Sequence, residues 1–148
     1  MCESVNRIQL ANELHCRGYS CAQAVACTFA DVVGLPVERL AALCGAFGGG
    51  FRAEEICGVV SGAAVVIGAK WPHSSPEDQQ AKDLAAAKMK EFHSRFFSRF
   101  PSLVCRDLKP LDPAPEKSPA AMAMGIEKTC GVYIVSAVEI LEEMLAEG

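Results

Sequence analysis

The sequence predicts an all-α fold: a single-domain bundle of about five to six helices around a buried, Ala- and Gly-rich central helix. Three observations carry that expectation. No alternation of apolar and polar residues is sustained, and no Asn-Gly or Asp-Gly joins β-branched runs, so the strand signal is weak. Cap and stop residues punctuate the chain at helical intervals. The stretch from Ile56 to Ala69 is apolar nearly all round, with Ser61 and the thiol of Cys57 as its hydrogen-bonding side chains, which is the pattern of a helix buried on every side.

The elements follow in order. Glu3 to Arg17 carries Val5, Ile8, Leu10, Ala11 and Leu14 at roughly helical spacing, and Gly18 is a natural stop. Ser20-Cys21-Ala22-Gln23 is a capping box, and the helix it opens runs through Val25, Phe29 and Val32 towards Gly34. Pro36 introduces a third helix, Val37 to Ala46. Gly45 to Arg52 is a glycine-rich loop that fits no phosphate-binding pattern, since no strand precedes it and no Gly-Lys-Ser/Thr follows. The central helix is expected over Glu54 to Lys70, where Gly58 and Gly62, one turn apart, let a neighbouring backbone come close.

Ser75-Pro76-Glu77-Asp78 begins a long fifth helix with a capping serine, an early proline and two acids at the positive end of its dipole. Its apolar line is Ala81, Leu84 or Ala85, Met89, Phe92, Phe96 and Phe100, and Pro101 ends it. Four prolines between Leu108 and Gly125 mark a loop with a short turn at Ala120 to Met124. The last helix spans Thr129 to Leu145 and points Cys130, Ile134, Val138, Leu141 and Leu145 inward.

Composition narrows the function. The chain has 148 residues, is 51% hydrophobic and 22% charged, and carries a net charge of -4, which fits one globular domain over 1–148 and excludes a disordered chain. A pI near 5.4 provides no basic footprint for nucleic acid. Polar residues interrupt every apolar stretch before it reaches bilayer length, so no membrane insertion is expected. The first residues show no basic patch followed by an apolar run, and the expected setting is the cytoplasm.

Eight cysteines are many for such a chain. In a reducing compartment they are buried apolar residues, metal ligands or redox groups before they are structural bridges. The closest pairs, Cys16/Cys21 and Cys21/Cys27, are too far apart for Cys-x-x-Cys chemistry, so any site must be assembled by the fold from distant segments. Context separates the eight. Cys21 follows a capping serine, Cys57 lies early in the central helix and Cys130 near the start of the last one, where free N–H groups and the helix dipole favour thiolate. Cys105 sits at a turn beside Arg106. Cys27 and Cys44 lie among alanines, valines and leucines and read as core; Cys16 is ambiguous, and Cys2 reads as a frayed terminal thiol.

Gly18-Tyr19-Ser20-Cys21-Ala22-Gln23-Ala24-Val25, Phe47-Gly48-Gly49-Gly50, Cys57-Gly58-Val59-Val60-Ser61-Gly62-Ala63, Cys105-Arg106 and the helix opened by Cys130 together resemble the C_GCAxxG_C_C family, whose members are regarded as redox-active. The resemblance covers nearly the whole chain. It implies that Cys21, Cys57, Cys105 and Cys130 form one site, with Val59 standing where the family has alanine.

Four converging thiolates suit an iron-sulfur cluster, a structural zinc or two redox-active disulfide pairs. The cluster is favoured, because glycine-rich backbone at Gly48 to Gly50 and Gly58 can bring N–H groups onto sulfur. The expected function is electron transfer through such a metal centre, with a redox partner protein and with a homodimer as one allowed assembly. A thiol-disulfide oxidoreductase is the alternative, and a helical binding module with incidental cysteines the third reading. No catalytic triad or hydrolase motif is present, and His15, His73 and His93 have no ligand spacing between them. Lys82, Lys88, Lys90, Arg95 and Arg99 make the outer side of the fifth helix basic, a solvated face or a dock for an acidic partner. Tyr19 and Tyr133, each near a favoured cysteine, read mainly as packing residues whose hydroxyls are candidates to tune a thiolate.

Overall fold

The computed structural model describes residues 6–111 and 117–148. The helices are α1 (Arg7–Cys16), α2 (Cys21–Cys27), α3 (Ala30–Val33), α4 (Val37–Leu43), α5 (Gly58–Lys70), α6 (Gln79–Phe97), α7 (Cys105–Leu108), α8 (Pro119–Ala123) and α9 (Thr129–Glu147), with a π turn over Gly50–Glu54. Six helices have seven or more residues, and no strand occurs among the described residues, so the all-α expectation holds.

Several boundaries move, each for a physical reason. The second expected helix breaks at Thr28, whose carbonyl accepts a 2.7 Å bond from Arg7 while its hydroxyl donates to the Arg7 carbonyl. Tertiary bonds to α1 there bring the helix to a turn before α3. The central helix starts at Gly58 rather than Glu54, because Ile56 pairs with Val104 in an isolated antiparallel bridge. Asp78, not Ser75, caps α6 by accepting from the Ala81 N–H, while Ser75 donates to Glu77. On α6 Ala85 is half-buried and Leu84 is exposed, which settles the inner line. Leu145 is only half-buried, whereas α9 is buried continuously from Gly131 to Val138. The turn expected at Ala120 to Met124 is α8, capped by Ser118 with Pro119 in its first turn.

Helix α9 and helix α5 form the centre. Against α9 lie Phe92 and Phe96 of α6 and Phe100 of the turn after it, α6 ending at Phe97 rather than at Pro101, with Tyr133 of α9 meeting Phe100 edge-on at 4.8 Å. Outside this apolar seam Arg95 bonds Glu91, Glu143 and Glu147, and Arg99 bonds Glu139. Lys88 stands over the Trp71 ring. The arginines of the supposed basic face are therefore committed to acids of α9 and of α6 itself, and no open basic strip runs along α6 at that end.

Helix α2 lies against α5 without bulky side chains between them. A Cβ on Gly62 would stand 2.7 Å from the Ala22 carbonyl oxygen, and one on Gly58 would overlap Cys21 Sγ. The two glycines one turn apart thus do what their spacing predicts. Among the described residues no helix is long and apolar enough to cross a membrane.

Candidate four-cysteine site

Each favoured cysteine stands at the start of a helix. The Ser20 hydroxyl accepts from the Gln23 N–H at 3.3 Å and the Gln23 side chain accepts from the Ser20 N–H at 2.9 Å, which fixes the first turn of α2 and places Cys21 as its first residue. Gln23 also donates to the Ala41 carbonyl, tying this turn to α4. Cys57 caps α5 and Cys105 opens α7. These two are set by the bridge: the Cys57 N–H donates to the Leu103 carbonyl at 2.8 Å and the Cys105 N–H to the Glu55 carbonyl at 2.5 Å. Side chains alternate across such a pair, so Cys57 and Cys105 share the face opposite Ile56 and Val104. Cys130 is the second residue of α9.

The four thiols wall one cavity of about 100 Å³, together with Gly49, Gly58, Val59, Leu108, Lys109 and Tyr133. The lining is almost wholly apolar apart from sulfur. Cys57 lies deepest, at 6% exposure, while Cys21, Cys105 and Cys130 are half-buried. Close approach at this point depends on missing side chains. A Cβ on Gly50 would come within 2.8 Å of Cys105 Cβ and 2.5 Å of the Glu55 nitrogen, and one on Gly48 within 2.7 Å of Ser20 Cβ. The turn that follows Gly50 is strained: Phe51, Arg52 and Glu54 all have positive φ, at 60, 60 and 55°. Ion pairs from Arg106 to Glu55 and from Lys109 to Glu54 hold α7 beside that turn.

Electrostatics set the chemistry. Burial pushes the Cys57 thiol up to about 12; the Val59 amide opposes this, and negative charge at Cys21, Cys105 and Cys130 adds to it. Cys105 and Cys130 are also raised, first by burial and then by charge at Cys21, with Lys109 pulling both the other way and Lys128 acting on Cys130. The thiols therefore sense one another, and two ammonium groups do not offset their burial. Burial thus favours the neutral thiol at Cys57, Cys105 and Cys130, and a positive group among them would favour the thiolates. Among the described residues no group of three or more His, Cys, Asp or Glu side chains is arranged to grip a single metal ion.

The other cysteines stand apart. Cys27 and Cys44 are buried core residues near each other, and burial raises both thiols, Cys27 to about 11. Cys16 is exposed at the end of α1, and Cys2 lies outside the described residues. His73 is exposed and His15 and His93 are half-buried; none of them lines the cavity. Tyr19 lies near Arg17. Tyr133 does line the cavity, but its hydroxyl donates to the Leu108 carbonyl at 2.7 Å rather than to sulfur. Sequence reasoning missed Lys109 and Leu108. Lys109 follows Cys105 by one helical turn, a spacing that marks the shared face once α7 is known.

Residues 19–144 match a family described as "Putative redox-active protein (C_GCAxxG_C_C)". No curated protein and no solved structure matches the chain. The match spans all four thiols of the cavity and most of the sequence, and the chain belongs to the C_GCAxxG_C_C family.

Proposed function

We propose that the protein is a small electron-transfer protein in which Cys21, Cys57, Cys105 and Cys130 ligate an iron-sulfur cluster. The observation that carries this reading is the meeting of four thiols from four separate segments in one apolar cavity, where burial raises Cys57, Cys105 and Cys130. A low-pKa nucleophilic thiol needs the opposite environment, electropositive and accessible. Buried mutual repulsion is relieved when soft cationic metal takes the place of the protons. A single zinc is the less favoured metal, because among the described residues no three His, Cys, Asp or Glu side chains are arranged to grip one ion. A cluster supplies electron transfer when bound. The chain's residues supply four thiolates, an apolar wall that excludes water, and glycine backbone at Gly49 and Gly58 that lets the helices close around it.

A second reading, dithiol-disulfide exchange, is favoured by the bridge that sets Cys57 and Cys105 on one face. Anaerobic purification with visible absorption and iron and sulfide analysis separates the two. Bound iron, bleached by Cys57→Ser and retained by Cys44→Ser, is the expected result. A colourless, iron-free protein after anaerobic reconstitution, with a disulfide found by mass spectrometry under oxidant, would establish the second reading instead.

A further inference from the structure

Helix α7 has only four residues, yet it carries one wall of the cavity. Its first residue is anchored by the bond from the Cys105 N–H to the Glu55 carbonyl. Its far end has no strand or long helix of its own to hold it. Two hydroxyls of α9 do so. Tyr133 donates to the Leu108 carbonyl at 2.7 Å, and Thr129 donates to the Leu111 carbonyl at 2.6 Å. These residues lie one turn apart on α9, and Cys130 sits between them.

We infer that Thr129 and Tyr133 are positioning residues, a pair of hydroxyl latches that hold residues 105–111 against the first turns of α9 and so fix Cys105 relative to Cys130. Tyr133 suits the task because its ring is itself immobilised. It is 1% exposed, meets Phe100 edge-on and lies 6.4 Å from Phe96, so the phenol oxygen is delivered to one place by the α6 seam. The latch also explains why a tyrosine stands where a phenylalanine would fill the same space. The carbonyl it satisfies belongs to a buried residue and otherwise accepts only the longer 3.1 Å bond from the Leu111 N–H, so losing the phenol removes its shorter partner and loosens the segment. Thr129 restrains the same segment one turn further along, where it leaves α7. Neither hydroxyl touches sulfur; they act through the backbone that carries the thiols.

The inference rests on the four thiols forming one site, whichever group they hold. It is tested on the full-length protein purified anaerobically, by timing iodoacetamide labelling of each cysteine with mass spectrometry and, where iron is bound, by recording the reduction potential. Tyr133→Phe and Thr129→Val are each expected to speed labelling of Cys105 and Cys130 by about 3- to 10-fold, the range of one net hydrogen bond. Labelling of Cys27 and Cys44 stays at the parent rate, and Thr129→Ser restores the parent pattern. A bound cluster shifts in potential in the first two variants and not in the third. Unchanged labelling in the Tyr133→Phe, Thr129→Val double variant overturns the inference, as does an equal rise at all four of these cysteines. Absence of iron from the parent would count against the cluster alone, since the labelling arm does not depend on it.

Discussion

Helix α5 meets α2 through glycine and alanine, while α6 and the turn after it meet α9 through Phe92, Phe96, Phe100 and Tyr133. The first contact removes side chains so that two backbones nearly touch; the second inserts the largest side chains in the core. Both bury surface, but they contribute different things. The aromatic seam stabilises by area and dispersion, and its arginine-glutamate fringe orders the outside. The glycine seam stabilises less per residue and instead sets a separation, which brings Cys21 of α2 against the start of α5 where Cys57 stands. Stability and site geometry are thus assigned to different interfaces of one bundle.

That division can be broken experimentally. Phe96→Ala should cause the largest loss of stability, about 3 to 5 kcal/mol for an aromatic truncated in a closed core, read as a lower denaturant midpoint. Under native conditions the order of labelling among the thiols should persist. Gly62→Ala should cost less, about 1 to 3 kcal/mol for overpacking against the Ala22 backbone, partly offset by better helix propensity. Yet it should expose Cys21 and Cys57 to alkylation together. If Gly62→Ala left those rates alone while Phe96→Ala raised them, the assignment of geometry to the glycine seam would be wrong.

High pH sharpens the same contrast. The metal-free fold holds Cys27 and Cys57 as neutral thiols raised from 9.0 to about 11 and about 12. A group raised on folding contributes stability that is complete below its unfolded value and disappears as pH rises through the folded one. The denaturant midpoint should therefore fall from pH 9 towards 12, and in Cys57→Ala the decline should be shallower, with Cys27 and the Tyr133 hydroxyl, raised by burial to about 12, carrying what remains. A flat profile over that window would contradict the burial of these thiols. The smallest effect belongs to the fringe: Arg99→Gln should cost about 1 kcal/mol or less, diminishing with added salt, because the pair it breaks is partly solvated.

Features with local causes could be read from sequence. The Ser20-Gln23 box, Pro36, the short turn at Ala120 to Met124 and the one-turn spacing of Gly58 and Gly62 each act through neighbouring backbone, and each does what its residues predict. The choice of Cys21, Cys57 and Cys130 rested on helix starts for the same reason. What could not be read depends on partners distant in sequence. Nothing near Ile56 announces Val104, so the sequence pattern begins the central helix at Glu54 and gives no sign of α7. Arg95 and Arg99 looked like a free basic face because the acids that occupy them lie on another helix. In the sequence Tyr133 stands out as a neighbour of Cys130, while its partner is a carbonyl on a helix the sequence does not signal.

The bridge between Ile56 and Val104 has a further consequence, for the order of events during synthesis. It joins segments from the two halves of the chain, and Cys130 must still arrive after both. Closing loops of that length is slow compared with forming any one helix. A nascent chain can therefore have folded α1 to α5 while the cavity does not yet exist, and Cys21 and Cys57 then lack Cys105 and Cys130. The four-thiol wall is therefore closed only once Cys130 has been made, well after Cys21 and Cys57.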